Sequence, residues 1–266
     1  MKHVAASSSI EDYVKAIYSH TEWQDKPITA TALATRLGVA NSSVSEMVRK
    51  LKDQGLVDHK PYSPIHLTAN GLRLALSMVR RHRLLESYLV RELGYSWDEV
   101  HEEAERLEHA VSDHFIERMS AKLGHPDRDP HGDPIPTAAG HITMTPSHRL
   151  DELDPGHCGR VSRISDHDPD LLRHLQSLGI GLDTELMVLG RPPFGAGLQV
   201  RVLDSPTDGP DAGQMLGDEV AASLWLASEG THAGCTVQQL TGGSLMHRHS
   251  PTAVAAHPGA HQQAPG

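Results

Sequence analysis

The run GHPDRDPHGDPIPTAAGHITMTPS, residues 124–147, limits the possible folds of this chain more than any other stretch. Its five prolines and three glycines forbid a continuous helix, because proline lacks the backbone donor and glycine is costly to order. The composition predicts a linker and a domain boundary near 124–150. Before it, apolar residues recur at helical spacing. After it, they fall into short β-patterned stretches.

In IEDYVKAIYSHTEW, Ile10, Val14, Ile17 and Tyr18 share one helical face, with Ser7, Ser8 and Ser9 as candidate N-caps. ITATALATRLGV predicts a short helix from about Thr31 to Gly38. NSSVSEMVRKLKDQGLV carries Val44, Met47, Val48 and Leu51 on one face, offers Asn41 and Ser42 as caps, and ends at Gly55. Two short helices joined by a tight glycine turn form a helix-turn-helix pattern. LVDHKPYSPIHLT reads as a hairpin with a Pro61–Pro64 tip, the wing of a winged helix. Thr68 caps a long helix ending near Gly94, and another is expected from about Trp97 to Gly124.

Beyond the break, GRVSRIS, TELMVLGR, LQVRVLD and EVAASLWLAS suggest strands of a small β-barrel around one helix, PDLLRHLQSLGI. After about Gly230 the chain is rich in His, Ala, Gly and Gln without periodicity, which predicts a disordered tail. Cys158 and Cys235 stand in no metal-knuckle spacing. No apolar run is long enough to span a membrane and the N-terminus lacks a signal-peptide core, so the expected location is cytoplasmic. The formal charge of −10 argues against nucleic acid only on average. Residues 1–75 hold 9 Lys/Arg against 7 Asp/Glu, and 9 − 7 gives +2 where phosphate contacts are expected.

HEEAERLEHAVSDH, residues 101–114, packs three histidines and five carboxylates together. Val100, Ala104, Leu107 and Val111 form a packing seam, and His101, Glu105, Glu108 and His109 form a second stripe beside it. One explanation is a solvated acidic face. Two features favour a metal: His82 and Glu86 stand four residues apart on the preceding helix, and the first helix begins with Glu11 and Asp12. Burying that many carboxylates calls for a compensating cation. Oxygen and imidazole donors without thiolate favour Mn(II), with Fe(II) open, over a thiolate zinc site.

A winged helix-turn-helix followed by HRLLE, VHEEAERLEHAVSDHFIERM, DPHGDPIP and a small β-domain resembles the diphtheria-toxin-repressor family of metal-dependent transcriptional repressors, over roughly residues 7–229. The likeness is strongest to manganese transport regulators of actinobacterial type. It implies a mainly α fold with a winged helix-turn-helix at 1–75, a helical metal-binding and dimerisation domain at 76–140, a linker at 141–150, an SH3-like β-domain at 151–229 and a tail at 230–266. Asp12, Glu105, Glu108 and His109 are the implied primary metal site, and His82, Glu86 and His101 the ancillary site. Asp12 and Glu105 stand where iron-responsive members carry Met and Cys. Lys15 stands where short manganese regulators place a glutamate that helps form a closely spaced dinuclear centre. Of Asp166 and Asp168 in the β-domain, Asp168 is the expected ancillary ligand.

The same resemblance implies DNA contacts by Asn41, Ser42, Ser43 and Glu46 near base edges and by Arg49, Lys50, Lys52, His59 and Lys60 on phosphates. Thr31 and Thr35 are expected on the backbone. The implied protein is a manganese-activated homodimer that binds a palindromic DNA operator, with up to two Mn(II) per subunit and Fe(II), Co(II) or Zn(II) as substitutes. It has no membrane partner and no small-molecule substrate. YLVREL and FIERMSAKLG are candidate dimer surfaces, and the tail histidines His247, His249, His257 and His261 are expected in a disordered segment. Carboxylate repulsion between the first helix and the 97–123 helix is the expected source of mobility without metal. An iron(II)-dependent repressor of the same family is the alternative. A di-metal carboxylate enzyme needs paired Glu-x-x-His elements that the chain lacks. Nucleophile-elbow, phosphate-loop and His-Glu-x-x-His motifs are also missing, so no catalytic residue is expected.

Overall fold

The computed structural model describes residues 8–24, 26–193, 195–203 and 213–227. Helix α1 (Ser8–Glu22) leads into α2 (Ala30–Leu37) and α3 (Asn41–Asp53), then a two-strand hairpin, β1 (Val57–Asp58) and β2 (His66–Leu67). Thr29 caps α2 by accepting from Ala32 N at 3.2 Å, and Gly38 ends it in the left-handed region at φ 66°. Asn41 and Ser42 do not cap α3: Ala40 holds the cap position without a side-chain bond, and Asn41 is already helical. Ile10, Val14, Ile17, Leu33, Val44, Val48, Leu51 and Ile65 close one core beneath these elements.

Helix α4 (Ala69–Leu93) starts at the Thr68 cap and stops at Gly94. Its first turns press on the wing, where a Cβ on Gly71 would come within 1.9 Å of Leu56 O. Ala75, Leu76 and Val79 of α4 belong to the first core, while Leu84 and Leu85 join a second with Ala104, Ile116, Met119 and Ile135. The single helix expected over 97–124 is instead two, α5 (Val100–Leu107) and α6 (Asp113–Lys122). Ser112 starts α6, accepting from Phe115 N at 3.2 Å, and a capping side chain there favours a new helix over continuation.

The segment expected as a slack linker is packed in its first half. Asp129, His131, Asp133 and Ile135 are buried. Asp129 Oδ1 accepts from His131 N at 2.8 Å and Asp133 N at 3.0 Å, so the loop satisfies its own backbone. Gly132, at φ 91°, lies so close to Ser162 that a Cβ would meet its carbonyl oxygen at 2.1 Å.

The rest is an antiparallel sheet of β3 (His148–Arg149), β4 (Cys158–Ile164), β5 (Glu185–Gly190), β6 (Leu198–Val202), β7 (Gln214–Leu216) and β8 (Leu224–Ala227), in spatial order β3-β8-β4-β5-β6-β7. The expected helix is α7 (Pro169–Ser177). EVAASLWLAS, read as one strand, divides into α8 (Asp218–Ala222) and β8. A bulge between Val161 and Arg163 sets Arg163 opposite Trp225. Leu150, Val161, Leu172, Leu186, Val200 and Leu226 fill the third core. The tail histidines and Cys235 lie outside the described residues.

Candidate metal centre

The two stripes of α5 separate as the helix periodicity requires. Val100 and Ala104 are fully buried, and the polar stripe faces α1 and α4. Glu108, the C-cap residue of α5, is also fully buried. A carboxylate that deep must either be offset by nearby positive charge or hold its proton.

One donor cluster joins Asp12, Glu108 and His109, whose ligand atoms lie within 4.8 Å of one another. His109 Nε2 lies 2.7 Å from Asp12 Oδ1, and its Nδ1 lies 2.7 Å from Glu11 Oε2. Burial lowers the His109 basicity, but Glu11, Asp12 and Glu108 outweigh it and raise the pKa. Burial raises the Asp12 carboxyl against the opposing pull of His109. Glu108 Oε1 is a buried acceptor without a hydrogen-bond partner, 3.6 Å from His109 Nε2. An orphan of that kind beside an imidazole and a second carboxylate suits a divalent cation. Glu105 belongs to the same face, but its Oε1 reaches Lys15 at 2.6 Å.

A second cluster joins His82, Glu86, His101 and Asp166. His82 Nε2 lies 2.9 Å from Glu86 Oε1, and His101 Nδ1 lies 3.3 Å from Glu86 Oε1 and 3.1 Å from Asp166 Oδ2. Burial would lower His101, yet bonds to Asp166 and Glu86 push it up to about 10. Burial would raise Glu86 and Asp166, but the histidines hold both below the carboxylate range. The histidines thus offset these carboxylates, and His101 carries its proton near neutral pH before any metal binds. Metal binding there would release protons.

Asp168 is not in this cluster. Its Oδ1 accepts from Asp170 N at 2.8 Å and Leu171 N at 3.3 Å, capping α7 ahead of Pro169. An aspartate directly before a helix-starting proline is a capping signal, and it is the sequence feature that would have spared Asp168 and left Asp166 as the free carboxylate. The carboxylate repulsion expected between α1 and α5 is also offset. Lys15, from α1 itself, places Nζ 2.6 Å from Glu105 Oε1 and 2.7 Å from Glu108 Oε2.

Between the clusters and the β-domain, Arg83 is buried against Glu22, donating from Nη1 at 2.9 Å and Nη2 at 2.6 Å. Asp133 Oδ1 accepts from Trp23 Nε1 at 2.8 Å and Arg163 Nε at 2.7 Å. The Arg163 guanidinium lies 4.4 Å from the Trp23 ring and 4.1 Å from the Trp225 ring. The end of α1, the 129–135 loop and the sheet therefore meet at one carboxylate. Nothing in the local sequence of VSRIS announces that role for Arg163.

Comparison with known proteins matches three family models in order: the iron-dependent repressor N-terminal DNA-binding domain over 6–65, its metal-binding and dimerisation domain over 68–137, and the FeoA domain over 148–227. The iron-dependent repressor IdeR of Mycobacterium tuberculosis is 31% identical over 198 residues, spanning 70% of this chain and 85% of IdeR. This chain belongs to the diphtheria-toxin-repressor family of metal-dependent transcriptional repressors. Its members are DNA-binding regulators, not enzymes. The diphtheria toxin repressor of Corynebacterium efficiens is 32% identical over 190 residues, 67% of this chain and 82% of that one. Among solved structures, a manganese-dependent transcriptional repressor in complex with manganese is 48% identical at a TM-score of 0.77, covering 83% of this chain and 100% of its own. The manganese regulator SloR is 31% identical at 0.68, covering 83% and 98%. The family's DNA-binding, dimerisation and SH3-like regions thus all have counterparts here.

In this repressor, α3 buries Val44, Val48 and Leu51 and leaves Asn41, Ser42, Ser43, Glu46, Arg49 and Lys50 exposed on its outer face. Thr31 and Thr35 of α2 are exposed, as is Lys60 in the wing. Lys52 Nζ donates to His59 O at 2.9 Å, which occupies it with bracing α3 against the wing. Tyr62 projects fully exposed from the wing tip. Of the candidate dimer stretches, Leu89, Ile116 and Met119 are consumed by the monomer core, whereas Leu93 and Phe115 are exposed. Among the described residues no helix is long and apolar enough to cross a membrane.

Proposed function

We propose that this protein is a manganese-activated homodimeric repressor that binds a palindromic operator and controls metal-homeostasis genes such as manganese import. The observation that carries the reading is the outer donor set. Asp12, Glu108 and His109 bring only oxygen and imidazole to one place, Glu105 shares their face of α5, and no sulfur donor is among them. The 48% identity to a manganese-dependent repressor supports the same choice.

Asp12 belongs to α1, which is packed in the winged-domain core, while Glu105, Glu108 and His109 belong to α5 and its end. A divalent cation held there would supply positive charge to offset these carboxylates. Asp12 on one wall and Glu108 and His109 on the other would then set where α1 stands, and α1 would carry α2, α3 and the wing with it through their common core. His82, Glu86, His101 and Asp166 would hold a second ion and tie the β-domain to α4 and α5. An arrangement favoured 100-fold by the ion gains about 2.7 kcal/mol. In a symmetric dimer two α3 helices must meet half-sites about one DNA turn apart, so small changes in α1 orientation carry weight. Asn41, Ser42, Ser43 and Glu46 would lie nearest the bases, with Arg49, Lys50 and Lys60 on phosphates.

The deciding experiment is fluorescence anisotropy of operator DNA, selected from random duplexes, with metal-free protein titrated by Mn(II), Fe(II), Co(II) and Zn(II) at fixed salt. Tight binding promoted best by Mn(II) and lost in Asp12→Ala/Glu105→Ala is expected. Stronger activation by Fe(II) would favour the iron-responsive reading instead.

A further inference from the structure

A third set of metal-type donors lies between the two clusters. His82, Glu105 and Glu108 present ligand atoms within 4.8 Å of one another. The space among them belongs to Lys15: its Nζ is 2.6 Å from Glu105 Oε1, 2.7 Å from Glu108 Oε2 and 3.0 Å from His82 Nδ1. The lysine side chain is only 12% exposed, and the Glu108 carboxylate is fully enclosed.

We propose that the Lys15 ammonium is a resident cation in a third, metal-shaped position, and that it raises the concentration of divalent ion needed to load the neighbouring Asp12–Glu108–His109 cluster. Glu108 divides its two oxygens between these positions. Oε2 is taken by Lys15 and by His82 Nδ1 at 2.7 Å, whereas Oε1 is unpartnered on the His109 side. A divalent ion that engages Oε1 therefore meets a carboxylate whose charge is already largely offset, with a positive charge close behind it. Like charges at that range in a partly buried site repel appreciably.

The same ammonium has a second effect that acts in the same direction. Lys15 belongs to α1 and its carboxylate partners to α5, so in the metal-free protein it ties together the two elements that the ion would join. Lys15 thus stabilises the unloaded state and disfavours loading. That combination sets a threshold: the sensor stays empty until the ion concentration exceeds what the lysine opposes. Asp12 precedes Lys15 by three residues on α1, so both approach the α5 carboxylates from one helix face.

The inference rests on the reading that the outer cluster binds a divalent cation, and the test separates the two. Full-length metal-free protein is titrated calorimetrically with manganese(II) chloride at fixed pH and ionic strength, for wild type, Lys15→Met and Lys15→Arg, and the melting temperature of each metal-free form is recorded. Lys15→Met is expected to bind its first ion about tenfold more tightly or better, while its metal-free form melts lower. Lys15→Arg, which keeps the charge, is expected to bind within about threefold of wild type. Should Lys15→Met fail to fold, Lys15→Gln retains a donor toward Glu108 without the charge and carries the same expectation. Wild type that binds manganese while the neutral variants bind no tighter overturns the role of Lys15 alone. Wild type that takes up no manganese overturns the metal reading as well.

Discussion

The two donor clusters lie a few residues apart on α5, yet they are built differently. The Asp12–Glu108–His109 cluster takes one wall from α1 and the other from the end of α5, and its Asp12 side chain is 40% exposed. The His82–Glu86–His101–Asp166 cluster stands on α4 and α5 and closes with a carboxylate from the β-domain, around a fully enclosed Glu86. The first is neutralised by a lysine and an imidazole drawn from both sides of a joint; the second is neutralised by its own histidines. A joint that an ion must close suits a sensor. A site already seated on two packed helices suits an anchor for the β-domain. On the proposed reading, the contrast would give the larger share of metal control to the Asp12–Glu108–His109 cluster.

The largest expected disruption lies beneath both. Arg83→Ala strands Glu22 and Asp133 in the interior and is expected to cost about 3–5 kcal/mol, read as a lowered urea midpoint of the metal-free protein. Next is Asp12→Ala/Glu105→Ala, which should reduce Mn(II)-stimulated operator affinity about 100-fold while leaving the fold intact by circular dichroism. Equal damage from Glu86→Ala/His101→Ala would remove the distinction between the clusters. A finer cut compares neighbouring carboxylates. Asp166→Ala is expected to weaken uptake of the second ion about 10-fold or more in calorimetry. Asp168→Ala should leave ion uptake alone and cost only about 1 kcal/mol of stability through the lost α7 cap. The smallest effect is far from either cluster: Lys50→Ala should reduce the salt dependence of operator affinity by about one phosphate contact, similarly on all sequences.

Much of the fold could be read locally. The face of Val44, Val48 and Leu51 in α3, the Thr68 cap and the Gly94 stop of α4 depend on spacing and cap chemistry within a few residues. The break at 108–112 was missed although Ser112 is a capping residue, because the stripe of acids and histidines runs on past it. The strand read through EVAASLWLAS fails for a similar reason: alternating small and apolar residues do not separate a short helix from a strand. The buried loop at 129–135 looked like a linker because proline and aspartate usually stay in water. Here the loop's backbone, Trp23, Arg163 and Arg83 satisfy the aspartates.

The sequence by itself determined which kinds of donor this protein would own, and on which helices, because a residue's type and its helical face are local properties. Only the tertiary structure decided which donors meet. It brought Asp166 rather than Asp168 to His101, placed Arg163 between two tryptophans, and set Lys15 against Glu108, 93 residues away in the chain. Burial is what gives these meetings their force. A charge taken out of water must find an opposite one nearby, and the chain's packing determines which one it finds.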